Sequence, residues 1–162
     1  MMEGKPVIVP GACSSLWTMT FNEDFARGFI GLLGNPHAIG EVFQIMSDES
    51  LTWNQIYKAV ADALGVPFKP YYISSTYLND IAPKEYDIEG NLIGDKAASV
   101  VFDCAKLKRA VPGYQATTRF EEGVRKCIDY ILAHPEYQEE DPEFDAWCDK
   151  VINTLEEVKK QF

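Results

Sequence analysis

The 162 residues are 46% hydrophobic and 25% charged, the balance of an ordinary folded domain, which excludes disorder, collagen and coiled coil. Fifteen Lys and Arg against 25 Asp and Glu give a net charge of −10. A surface this acidic repels phosphate backbones and anionic lipids, so neither nucleic acid nor a membrane is expected as partner.

Pro6-Val7-Ile8-Val9 is a β-branched run bounded by turn residues and predicts a strand. Pro10 to Ser14 is a turn, and Leu16 to Phe21 is a second strand or strand-like loop. Thr20 and Glu23 have capping-box spacing. The helix behind them is expected to bury Phe25, Phe29, Ile30 and Leu33 and to stop at Gly34-Asn35-Pro36. Val42 to Met46 predicts the next strand. Thr52 and Gln55 form a second capping box, opening a helix with Trp53, Ile56, Val60 and Leu64 on one stripe and Gly65 as its left-handed stop. Tyr71 to Ile73 is a strand, followed by a short helix near Ser75 to Ile81.

Pro83 to Gly94 is the least regular stretch. Ser99 to Phe102 is expected as a short strand, and Asp103 as the cap of a short helix through Arg109. Thr118 and Glu121 are a third capping box, for a helix carrying Phe120, Val124, Ile128, Ile131 and Leu132. Asp141-Pro142 is a cap followed by proline at the first helical position. The last helix carries Phe144, Trp147, Val151, Leu155 and Val158 at helical spacing, as core residues. Strands alternating with helices predict a mixed α/β fold. The only plausible boundary lies near His134 to Asp141, dividing residues 1–134 from an acidic C-terminal helix, 135–162, where nine acids face three lysines.

Cys13, Cys104, Cys127 and Cys148 include no CxxC pair. With no apolar leader at residues 1–6, they read as reduced thiols of a cytoplasmic protein. Cys127 and Cys148 sit in helical apolar patterns, as small hydrophobes. His37 and His134 are isolated, the first in a loop and the second at a helix end, so neither a zinc site nor a histidine-based hydrolase is visible. There is no GxGxxG, GxxxxGK[ST] or GxSxG, and no Tyr is followed four positions later by Lys. The residues supply scaffold and pocket walls without a catalytic centre.

The order of five motifs resembles a known pattern. Lys5-Pro6-Val7-Ile8-Val9-Pro10-Gly11 is similar to a strand and glycine turn. Asn22-Glu23-Asp24-Phe25-Ala26 is similar to a Val-x-Asp-Val-Ala helix start, and Gly40-Glu41-Val42-Phe43-Gln44-Ile45 to a Gly-Glu-x-Tyr-Asn-Ile strand. Ser50-Leu51-Thr52 with Ile56 and Ala63-Leu64-Gly65 resembles the helix that follows. Asp103-Cys104-Ala105-Lys106 and then Phe120-Glu121-Glu122-Gly123 resemble the closing segment. Together they resemble the C-terminal, substrate-binding part of the extended short-chain dehydrogenase/reductase superfamily, the NAD-dependent epimerases and dehydratases.

That resemblance implies the substrate-side lobe of an enzyme whose N-terminal Rossmann lobe holds NAD(P) and the catalytic Ser/Thr, Tyr and Lys. None of those motifs is in these residues, so no catalytic, cofactor or metal ligand is expected in this chain, and the chain reads as truncated. It is expected to be inactive alone and to self-associate through the face left open. Nucleotide-sugar members place an Arg where this chain has Trp17. Without that guanidinium a bidentate phosphate contact is lost. Trp17 is the one candidate substrate-binding residue, stacking on a base or sugar face; its alternative is the core of a strand. Asp24 is read as a helix-start acid, and Lys106 as a surface or inter-lobe contact. The alternative function is a stand-alone small-ligand or protein-interaction domain derived from the same lobe.

Overall fold

β1 (Val7–Pro10) and β4 (Pro70–Ile73) pair in parallel, Val7 opposite Pro70 and Pro10 opposite Ile73, in a computed structural model that describes all residues, 1–162. A parallel pair needs a long crossover. It is supplied by β2 (Leu16–Trp17), α1 (Asn22–Leu32), β3 (Leu51–Thr52) and α2 (Trp53–Leu64), with β2 and β3 forming an antiparallel ribbon. After β4 come α3 (Ser75–Ile81), α4 (Ala105–Ala110), α5 (Phe120–Ala133) and α6 (Pro142–Lys159). α2 packs on α5, and α6 lies against β1. The fold is the expected mixed α/β arrangement.

Local chemistry explains several boundaries. Thr52 accepts from the Gln55 amide while the Gln55 side chain accepts from Thr52 N–H, a complete capping box, and α2 ends at Gly65 with φ 69°. Asp141 accepts from Phe144 N–H at 3.0 Å, with Pro142 opening α6. The other two expected capping boxes do not form. Thr20 Oγ1 instead accepts from Ser47 N–H at 2.9 Å. The start of α5 is served from a distance, because Glu49 accepts from Phe120 N–H at 2.8 Å and pairs with Arg119 at 3.0 Å.

Three element expectations are corrected. Val42 to Met46 and Ser99 to Phe102 are not strands. Phe43 and Ile45 still turn inward while Val42 and Gln44 face out, so the first segment keeps strand alternation. No strand pairs with it, and the amides from Val42 to Met46 have no hydrogen-bond partner. Ser99 to Phe102 makes one backbone bond, Val100 N–H to Leu16 O at 3.0 Å, too few for a ladder. Pro83 to Gly94 is more regular than expected. A 3-10 turn (Lys84–Tyr86) and a π-helical segment (Glu89–Lys96) meet at Asp87, whose φ is 38°.

The orientation of α1 is the largest correction. Phe25, Phe29, Ile30 and Leu33 are 48%, 51%, 63% and 64% exposed. The helix buries Asp24 and Gly28 instead. Asp24 accepts from the Thr117 and Thr118 amides at 3.2 and 2.9 Å and pairs with Arg27. At Gly28 an added Cβ would come 2.7 Å from Ile45 Cγ2, so α1 sits against Ile45 and Tyr114 at a distance only glycine allows. A polar anchor and a close approach thus outweigh the apolar stripe. Cys127, expected inside, is also exposed, whereas Cys13 and Cys104 are buried.

The apolar face of α1 joins Ile39, 81% exposed, around an open groove of about 690 Å³; Val42, 82% exposed, lies outside its lining. Only 17 of 162 residues are buried, and the accessible surface is 10621 Å². A folded monomer of 18.2 kDa exposes roughly 8,100 Å² by the usual size scaling. The excess, about 2,500 Å², is the scale of one large uncovered face.

Burial by itself would raise the Asp24 carboxyl, but the Thr118 and Thr117 amides, the Thr118 hydroxyl and Arg27 together hold it below the usual range. Its stabilising share is therefore complete above the unfolded carboxyl pKa of about 3.9 and is lost as pH falls through the lower folded value. Asp24→Ala should lower unfolding free energy by about 3 kcal/mol in urea titrations at pH 7. The difference between variant and parent should shrink as pH is taken below about 3.9, and a constant difference would contradict this role.

Candidate substrate-binding site

The parallel pair brings the carboxyl ends of β1 and β4 to one edge, where α/β folds hold their ligands. The chain leaves β1 through Gly11, with φ 59°, and Cys13, a non-glycine residue with φ 46°. Gly11 N–H donates to Ile73 O at 2.6 Å, which fixes the turn to the end of β4. Beneath the turn lies a cavity of about 130 Å³, lined by the Pro10–Ser15 segment, Trp53, Tyr57, Ser75 and Lys96 among others.

The start of α2 clamps this loop. Trp53 N–H donates to Ser15 O at 3.3 Å and Asn54 N–H to Cys13 O at 3.1 Å. The Asn54 side chain donates to Ala12 O at 2.9 Å and accepts from Tyr72 OH at 3.0 Å. Ser15 Oγ donates to Lys96 O at 2.6 Å. The free amides of a helix N-terminus are ordinarily an anion site. Here the first two are taken by loop carbonyls, and the third, Gln55 N–H, by Thr52. Lys96, the cation of the lining, is held by Asp95 Oδ2 and Asn91 O, each at 3.0 Å. The geometry favours neutral hydrogen-bonding ligands over a diphosphate.

Trp17 lies in β2, half-buried, with its ring 5.7 Å from that of Trp53 and tilted by 35°. Trp53 and Tyr57 continue the row at 6.4 Å, and Tyr57 and Phe68 at 6.3 Å. Trp17 is therefore the end of a four-ring row that reaches the small cavity through Trp53 and Tyr57, and it does not line the cavity itself. Trp53 Nε1 is buried without a hydrogen-bond partner. The sequence reading missed Asn54, Ser15, Tyr57 and Lys96. The visible signal was the glycine turn at the end of β1; the clamp depends on contacts as distant as Ser15 with Lys96.

Neither histidine reaches this site. His134 Nδ1 meets Tyr130 O at 2.7 Å and its ring stacks on Tyr130 at 4.0 Å, at the end of α5. Lys106 pairs with Glu41 at 2.6 Å and donates to Val42 O at 2.9 Å, tying α4 to the unpaired segment. Asp103 accepts from Ala105 N–H at 2.7 Å. No group of three or more His, Cys, Asp or Glu side chains is arranged to hold a metal, and no helix is long and apolar enough to cross a membrane.

Burial pushes the Cys13 thiol up to about 11. A protonated thiol is a poor nucleophile, so Cys13 shapes the turn and does not react. At pH 8, iodoacetamide should modify exposed Cys127 first and leave Cys13 unlabelled in the folded chain. Peptide mass mapping showing Cys13 labelled as fast as Cys127 would overturn that assignment.

No protein-family model matches the chain. The chain is 27% identical over 112 residues to 2'-dehydrokanamycin reductase of Streptomyces kanamyceticus, covering 69% of this chain and 31% of that protein. It is 31% identical over 84 residues to the chloroplast stem-loop binding protein of 41 kDa b of Arabidopsis thaliana, covering 52% of this chain and 20% of that one. Among solved structures, UDP-glucuronic acid 4-epimerase of Bacillus cereus in complex with NAD superposes with a TM-score of 0.60 at 19% identity, over 82% of this chain and 36% of that chain. The chain thus spans about a third of the length of these relatives or less, and its fold is that of one part of the NAD-dependent epimerases and dehydratases.

Proposed function

We propose that this chain is the substrate-binding portion of an NAD-dependent epimerase/dehydratase-type enzyme, working in the cytoplasm and inactive by itself. The observation that carries the reading is the uncovered face formed by α1 and the unpaired segment Val42 to Met46. Its exposed Phe25, Phe29 and Leu33 and its free amides suit the edge and apolar flank of a second lobe. In that arrangement the cofactor and the acid/base chemistry belong to the other lobe. This chain contributes alignment, holding the substrate against the nicotinamide by the β1 turn and the Trp17 row.

The substrate is a small sugar-like molecule gripped without a diphosphate clamp. Trp17 replaces a guanidinium and offers a ring face, which suits stacking on a sugar or base. The occupied amides at the start of α2 point the same way. One relative is named for the reduction of a dehydrokanamycin, so relatives of this part are not confined to nucleotide sugars. Nucleic acid remains an unsuitable partner for a chain of net charge −10.

Calorimetry with the chain alone should give no heat of NAD binding; micromolar affinity would contradict the division of labour. Sedimentation should show concentration-dependent self-association, reduced by Phe29→Asp and Val42→Glu with no loss of helical content. A parent chain that stays monomeric at high micromolar concentration would remove the argument for a face in need of a cover.

A further inference from the structure

A second, larger cavity lies against α6. It holds about 770 Å³ and is walled by β1, α2, α6 and the turn around Tyr86 to Leu92. It shares Pro10, Tyr57 and Leu92 with the small cavity, so the two adjoin. Its floor is aliphatic, with Ile8, Val60, Leu64 and Leu78. On the α6 side stand three rings in mutual contact. Tyr86 and Phe144 meet edge to face at 5.0 Å, Tyr86 and Trp147 lie at 5.7 Å, and Phe144 and Trp147 at 5.6 Å.

Acidic side chains outnumber basic ones in this lining, Glu3, Asp145 and Asp149 against Lys5. Lys5 is already bound by Asp149 at 2.8 Å and Glu3 at 3.1 Å. Asp145 lines the cavity, is exposed and has no cationic partner, and Glu85, Asp141 and Glu143 stand close enough to act on Tyr86 without an ion pair of their own. Two groups in the wall register this field. The Tyr86 phenol is pushed up by burial and then by Asp141, Glu143 and Glu85. The Cys148 thiol is pushed up to about 11 by burial and then by Asp145, Asp149 and Asp141.

We propose that this cavity binds an organic ammonium ion, its apolar body on the aliphatic floor and its charge at the α6 mouth between the Tyr86, Phe144 and Trp147 rings and Asp145. An aromatic face attracts a cation through its quadrupole, and a nearby unpaired carboxylate adds a direct charge pair. A carboxylate ligand of the same shape meets the carboxylates of Glu3, Asp145 and Asp149; the cations of the lining are Lys5, whose charge is already engaged, and the amino group of Met1. An apolar ligand without charge gains the floor alone. The site shares Tyr57 with the Trp17 row but not Trp17, Trp53 or Phe68, and it does not depend on α1 being covered by a second lobe.

The test uses the full chain and three probes of matched shape: phenethylammonium, 2-phenylethanol and 3-phenylpropionate. Calorimetry gives affinity, and the Trp147 indole N–H resonance reports location. Phenethylammonium should bind saturably, about ten-fold more tightly than 2-phenylethanol, with 3-phenylpropionate weakest. Asp145→Asn, at an exposed position, should weaken the ammonium about five-fold and leave 2-phenylethanol unchanged. Phe144→Leu keeps apolar volume and should also lower ammonium affinity selectively. Equal affinity for the three probes, the absence of saturation, or shifts at Trp17 and Trp53 in place of Trp147 would overturn the proposal. Loss of self-association in Phe29→Asp with ammonium binding intact would separate this site from the reading of the α1 face.

Discussion

One buried carboxylate organises half of this chain. Asp24 sits on the first turn of α1, is closed off from water, and receives two amides from the strand-like approach to α5 as well as Arg27. A buried charge without such partners would be expensive; with them it becomes a fixed pin between two segments 93 residues apart. Because the pin lies on the Asp24–Gly28 side, that side of α1 is drawn inward. The phenylalanines at positions 25 and 29 are consequently turned out, and the uncovered face follows from the pin.

The loop after β1 is held by a similar economy of polar groups. α2 gives its first amides to Ser15 and Cys13 carbonyls, and Asn54 adds its side chain. A loop that would otherwise need water is made rigid, and a helix end that would otherwise attract phosphate is neutralised. The same few bonds therefore shape the turn and occupy the donors an anion would need.

Much of the fold was legible in the sequence where the signal is local. The Thr52/Gln55 box, Gly65 and Asp141-Pro142 each act within about one helical turn, and each forms as read. The expectations that failed depend on distant partners. Thr20 and Thr118 have capping spacing, yet Ser47 claims the first hydroxyl and Asp24 the amide of the second. Val42 to Met46 has strand composition, but a strand also needs a neighbour, which composition cannot supply. The inward side of α1 was misread because apolar periodicity assumes that the stripe packs within the chain. At the site, the Gly11 turn could be read, while the clamp by Asn54 and Lys96 could not. Trp17 was visible as a candidate, but its row with Trp53, Tyr57 and Phe68 emerges only when β2, α2 and the segment beyond α2 are folded together.

The bare amides between Val42 and Met46 carry a further consequence. Hydrogen-bond donors in an extended row are indifferent to whose carbonyls they meet, so the same edge that would zip onto a proper companion can recruit stray strands from any unfolded neighbour. The Glu41–Lys106 pair at one end acts as a gatekeeper, placing charge where a growing ribbon would start. Removing that pair should leave the bare edge a seed for fibrous aggregates.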